Sequence, residues 1–210
     1  LLAPAQKAAQ SRLASSPDLM ARIYSLPSNF GRVFRAGVRP NPNNPNAVSL
    51  YVLCRNAELQ LTKAPDTLKK NLARYLNVFR LIPDGIDIYD APIVNLKVTY
   101  GIVVSQELNQ QLVLQEVNLK LSKFFATEKF QINQPLIISD IRNVIHNTTG
   151  VVSVGDVKLE NLSGTIGSRV YSDLKYDLRI NTLKGQIVMP PAGGIFEVRY
   201  PNTDIVGGVL

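Results

Sequence analysis

The stretch Leu68-Lys-Lys-Asn-Leu-Ala-Arg-Tyr-Leu-Asn-Val-Phe-Arg-Leu-Ile-Pro-Asp-Gly-Ile-Asp-Ile-Tyr-Asp90 decides the fold class. Leu68, Leu72, Tyr75, Leu76 and Phe79 recur at i, i+4, i+7, i+8 and i+11, which lays one apolar stripe along a helix. Pro83-Asp-Gly85 stops it, since proline offers no amide and glycine accepts a turn. From Ile86 the period changes to two. Asp87 alternates with Ile86 and Ile88, and beyond it Val94, Leu96, Val98 and Tyr100 alternate with Asn95, Lys97 and Thr99. A helix set directly against strands predicts helices packed on a sheet.

Upstream of this helix, Gly31–Arg39 reads as a strand, with Val33 and Arg35 on one face and Arg32, Phe34 and Ala36 on the other. Pro40-Asn-Pro-Asn-Asn-Pro-Asn46 cannot ladder and is an exposed turn. Ala47–Cys54 is a second strand, and the two make a hairpin. Before them, residues 1–25 read as helical, with Ser16 capping and Pro17 opening a short second helix.

Downstream, Gln106–Thr127 is a helix with Leu114, Val117, Leu121, Phe124 and Phe125 as its apolar face, and Lys120, Lys123 and Lys129 toward its C-terminal end. Ser139-Asp140 caps a short helix carrying Ile141, Val144 and Ile145, and Gly150 closes it. Val151–Leu159 is a strand with Gly155 as a bulge. Residues 160–184 read as a long polar loop. Short strands follow at Gln186–Met189 and Ile195–Tyr200, and Pro201–Leu210 as a loosely held, extended tail.

These elements predict an α+β fold of split βαβ-like units, with helices packed on mixed β-sheets and an extended C-terminal tail. The expected segments are an N-terminal helical stretch (1–30), a β-β-α-β unit (31–104), a second α/β unit (105–159) and a loop-rich β segment with the tail (160–210).

The 210 residues carry 23 basic and 16 acidic side chains, a net charge of +7. Residues 1–40 hold six of the basic residues (Lys7, Arg12, Arg22, Arg32, Arg35, Arg39) against one acid, Asp18. A nucleic-acid face, a docking surface for an acidic partner and an ordinary solvated surface all produce such a bias. No apolar run approaches the roughly 20 residues that span a bilayer. The sequence begins at Leu1 rather than Met, so a longer polypeptide is expected.

Little in the sequence points to catalysis. His146 is the sole histidine, so two-histidine metal sites and most general-base arrangements are excluded, and a structural role on its helix is expected. Cys54 is the sole cysteine and reads as a small buried apolar residue. Asp84, Asp87 and Asp90 lie close in sequence but lack the spacing of a calcium loop, and turn and strand roles account for them better. No phosphate-binding glycine loop and no nucleophile elbow is present. No catalytic residue, cofactor or metal is expected.

The chain resembles contractile-tail bacteriophage baseplate wedge proteins of the baseplate-J-like superfamily, in particular the C-terminal part of T4-like inner-wedge subunits. The residues that carry the resemblance are Arg22–Arg32 with the following hairpin, Leu68–Asp90, Ile138–Ile145 with Thr149–Val154, and Phe196–Ile205. It implies a non-enzymatic structural subunit of the virion tail baseplate, assembled in the host cytoplasm. Its implied partners are other wedge proteins and the tail hub, with homodimers joined into a ring that rearranges on sheath contraction, and with no membrane and no small-molecule substrate. On that reading the interface candidates are Arg32, Phe34, Arg35 and Arg39 in the hairpin, and Val198, Tyr200, Asp204 and Ile205 near the tail. The alternatives are a basic nucleic-acid-binding module, a receptor- or glycan-binding tail component, which the absence of Trp disfavours, and a tail hydrolase.

Overall fold

A computed structural model describes residues 17, 19–44, 47–79 and 85–210, and the chain divides into two units, Leu1–Ala91 and Pro92–Leu210. Both are α+β with a mixed sheet. The boundary falls before the strand expected to finish the first unit. That strand belongs to the second unit instead, because both of its edges pair with later segments. The helix expected over residues 1–14 and the Ser16 cap lie outside the described residues.

The first unit is built on β2 (Val48–Arg55). β1 (Arg35–Pro40) pairs antiparallel with it, from Arg35 opposite Leu53 to Pro40 opposite Val48. β3 (Leu61–Thr62) pairs antiparallel with its end, and β4 (Ile86–Asp90) parallel with its start. Between β3 and β4 runs α2 (Asp66–Phe79), while residues 19–24 form α1. The predicted stripe of α2 is the one buried: Leu68, Leu72 and Leu76 pack with Leu50, Val52, Ala36, Val33, Leu19 and Ile23. Each such leucine contributes about 2 kcal/mol by leaving water. Gly31 closes the turn Ser28–Phe30 at φ +102°, and a Cβ there would lie 2.8 Å from Cδ1 of Leu68. A left-handed backbone and the close approach of α2 both require glycine.

The second unit is built on β5 (Ile93–Val104), the clean alternation of the sequence. β7 (Val151–Leu162) lies antiparallel along one edge, with a register shift around Gly155, the expected bulge. The other edge carries two parallel strands in succession, β12 (Ile195–Glu197) and β13 (Ile205–Val209), separated by the single turn α5 (Pro201–Asp204). The tail is therefore not loose, since its amides complete the β5 ladder. α3 (Gln110–Phe124) buries Val113, Val117 and Leu121, with Phe125 just beyond, so Val113 takes the place expected for Leu114. Asn109 caps it, accepting from the amides of Gln111 and Leu112.

α4 (Ile138–His146) starts earlier than the Ser139-Asp140 cap predicts. β6 (Leu136–Ile137) pairs with β11 (Ile187–Val188), and the Ile138 amide donates to the Gln186 carbonyl. The helix leaves the strand with its first amide already satisfied, so Ser139 and Asp140 fall in the first turn. Residues 160–184 are not a structureless loop either. β7 runs on to Leu162, β8 (Thr165–Ile166) and β9 (Arg169–Val170) form a hairpin, and β10 (Thr182–Leu183) pairs with β11. Polar hydrogen bonds rather than apolar periodicity hold this segment.

Candidate functional site

In the hairpin, register decides which side chains share a face. Arg35, Gly37 and Arg39 stand opposite Leu53, Tyr51 and Ser49, and Tyr89 and Asp87 of β4 stand opposite Tyr51 and Ser49. These residues form the sheet face turned away from α2. Tyr51 and Tyr89 pack with ring centroids 5.6 Å apart. Asn41 donates to Asp87 at 2.7 Å. The guanidiniums of Arg35 and Arg55 lie 4.4 Å and 4.5 Å from the centroid of Phe34. Such contacts hold a cation over the electron-rich face of a ring. The ring of Phe34 is thus engaged within the chain. Arg32 and Arg39 are exposed. Strict alternation fails here, because Val33 and Ala36 both enter the core; β1 begins only at Arg35.

The four candidates near the tail turn inward. Val198, Asp204 and Ile205 are buried within the second unit, and Tyr200 is half-buried with its ring edge-on to Tyr171 at 5.5 Å. Asp204 accepts from the Tyr171 hydroxyl at 2.8 Å and the Tyr200 amide at 3.0 Å, with Arg169 at 3.6 Å. A buried carboxylate needs such partners. Burial first, and then the bond to Asp204, push the Tyr171 hydroxyl up to about 12. Burial takes Val198, Asp204 and Ile205 off the free surface of the unit, while Asp204 and Tyr200 tie α5 to the β8–β9 hairpin.

A second buried polar cluster escaped the sequence reading. Asn95 donates to Glu197 at 2.7 Å and accepts from the Ser172 amide at 2.7 Å, and the Ser172 hydroxyl donates to the Ile93 carbonyl at 2.5 Å. Arg199 approaches Glu197 at 3.7 Å. Asn161 bridges onward, donating to the Asn95 carbonyl at 3.1 Å and accepting from the Tyr176 amide at 2.8 Å. Asn95 sits among alternating residues whose polar members read as solvent-facing. Only its partners, far away in sequence, give a reason for burying it. The cluster joins β5 and β12 to the irregular segment that follows β9.

The segment so fixed forms one wall of an open cleft of about 1050 Å3, and the end of β7 forms the other. Lys158, Lys175 and Arg179 line it together with Glu160 and Asp177. Most of its polar groups already serve the fold. Asp177 accepts from the amides of Arg179 and Ile180, and the Tyr176 hydroxyl donates to the Met189 carbonyl. Burial raises the pKa of that hydroxyl.

Asp87 and Asp90 have separate partners. Asp90 accepts from Lys69 at 3.0 Å, Asp87 is held by Asn41, and Asp84 lies outside the described residues. Among the described residues no group of three or more His, Cys, Asp or Glu side chains is arranged to hold a metal ion. His146 is exposed at the end of α4. Cys54 packs half-buried against the first core, where burial, and then Asp90, raise its thiol pKa. No helix among the described residues is long and apolar enough to cross a membrane. No family model and no curated protein matches the chain.

Proposed function

We propose that the chain is a structural subunit of a contractile phage tail baseplate, giving protein surfaces to wedge and inner-ring assembly and to the rearrangement that accompanies sheath contraction. The observation that carries this reading is the open edge of β13. The Leu210 amide donates to the Ile102 carbonyl at 2.9 Å, so by strand alternation the Val206 and Gly208 amides face β5 as well. Gly207 and Val209 then turn their amides and carbonyls away from it. Among the described residues no strand pairs with that side. β13 reads Ile-Val-Gly-Gly-Val, without a charge or a proline, and Val206 and Val209 are exposed. Free edges of isolated proteins usually carry charges, prolines or bulges that prevent pairing with other chains. An unprotected edge fits a molecule that works with a neighbour's strand added to it.

On this reading the neighbours are other wedge proteins, the hub or a second copy, and the resemblance over Leu68–Asp90 and Phe196–Ile205 supports the same assignment. Mass spectrometry of purified tails tests it, together with complementation by Val209→Lys. The expected result is the chain present in baseplates and tails that stall in assembly when the edge carries the lysine. Absence of the chain from tail particles overturns the proposal.

A further inference from the structure

We propose that the pocket between the C-terminal ends of α3 and α4 is a binding site for a phosphate group. It has a volume of about 410 Å3 and is lined by Lys120, Lys123, Phe124, Lys129, Asn143, Val144 and Asn147. Three lysines and two asparagines therefore line one concavity, and no acidic residue does. Ammonium groups donate hydrogen bonds as point charges, and carboxamides add neutral donors. Phe124 and Val144 give an apolar wall for the organic part of a phosphate ester.

Lysines at helix C-termini have a plainer explanation, since the helix dipole attracts them. It accounts for part of this set. Lys120 pairs with Glu116 at 3.2 Å and donates to the Asn147 carbonyl at the end of α4 at 3.4 Å, so its charge serves the fold. Lys123 lies in the last turn of α3. Lys129 belongs to neither helix. It lies in the separate turn Thr127–Lys129, which returns it to the pocket. Lys123 and Lys129 are exposed and make no ion pair with a described residue. Lys123 and Lys129 thus bring two charges to a pocket with no acidic residue in its lining, and a bound dianion lowers the energy of that arrangement. The site is independent of the β13 edge, so it stands or falls apart from the assembly reading.

Tripolyphosphate and inorganic phosphate, titrated into the full chain and followed by amide chemical shifts, provide the test. Saturable shifts are expected at Lys123, Lys129, Asn143 and Asn147. Lys123→Gln and Lys129→Gln each weaken binding about tenfold, and the double variant loses the shifts while keeping the thermal midpoint. Sedimentation with phosphatidic acid vesicles separates the two sources of the group. Lysine-dependent co-sedimentation assigns a lipid headgroup, and soluble binding alone assigns a free phosphate ester. The proposal is overturned if these four amides do not move, if they move equally in the double variant, or if only duplex DNA binds, through the arginines of residues 22–39.

Discussion

The carboxamide of Asn95 donates to the carboxylate of Glu197 at 2.7 Å, and the two residues are direct partners in the parallel pairing of β5 with β12. They lie 102 positions apart in sequence and both are buried. This contact makes a charged residue tolerable inside the second unit, because Asn95 also receives the Ser172 amide and Arg199 sits at 3.7 Å. Asn95→Leu keeps the volume but takes a donor from the Glu197 carboxylate and leaves the Ser172 amide without its acceptor. The expected loss of stability is about 3–5 kcal/mol, read from the midpoint of denaturant unfolding. A loss below about 1 kcal/mol would mean that water reaches the cluster.

Tyr171 sets an alkaline limit. Its hydroxyl, raised to about 12 from an ordinary value of 10.0, stays protonated more readily in the folded state than in the unfolded one. Its contribution is therefore complete below the unfolded value and is lost as pH rises through the folded one. Stability should fall between pH 10 and about 12 more steeply in the native chain than in Tyr171→Phe. Tyr100, also raised by burial, is common to both chains and cancels in the comparison. Parallel stability profiles would show that Tyr171 is not the group responsible.

Two adjacent glycines of β13 should behave differently. A Cβ at Gly207 would overlap the ring carbons and hydroxyl of Tyr100, which itself donates to Asn118 of α3 at 2.8 Å. At Gly208 a Cβ meets nothing within 4 Å. Gly207→Ala is expected to cost about 1–3 kcal/mol and to speed hydrogen exchange across Ile205–Leu210. Gly208→Ala should stay within about 0.5 kcal/mol of the native chain. Equal effects at the two sites would refute the packing of β13 against Tyr100.

In the first unit, Leu72→Ala should cost about 2–5 kcal/mol, since Leu72 is at 0% exposure in the centre of its core. Val78, on the same helix at 76% exposure, should tolerate Ala within about 0.5 kcal/mol. Thermal unfolding of the two variants measures the contrast directly.

Much of the fold was legible wherever a face repeats. The stripe Leu68–Leu72–Leu76, the alternation Val94–Tyr100 and the hairpin around residues 40–46 each encode burial in local spacing. So the longer helices, the long strands and the α+β class follow from sequence alone, while the short strands of residues 160–184 and the tail do not.

The candidate site was less legible. Whether Arg35 and Arg39 face outward depends on where β1 begins, and that depends on Val33 being taken into the core. Val198, Asp204 and Ile205 resemble surface or edge residues until β12 and β13 are found on the same edge of β5. The buried partners of Asn95, the wall formed by residues 160–184 and the convergence of Lys123 with Lys129 all depend on contacts distant in sequence. Local periodicity reports which face of an element is apolar. It does not report which neighbour that face meets, and pairing across 102 positions is settled only when the tertiary structure brings Asn95, Ser172 and Glu197 together.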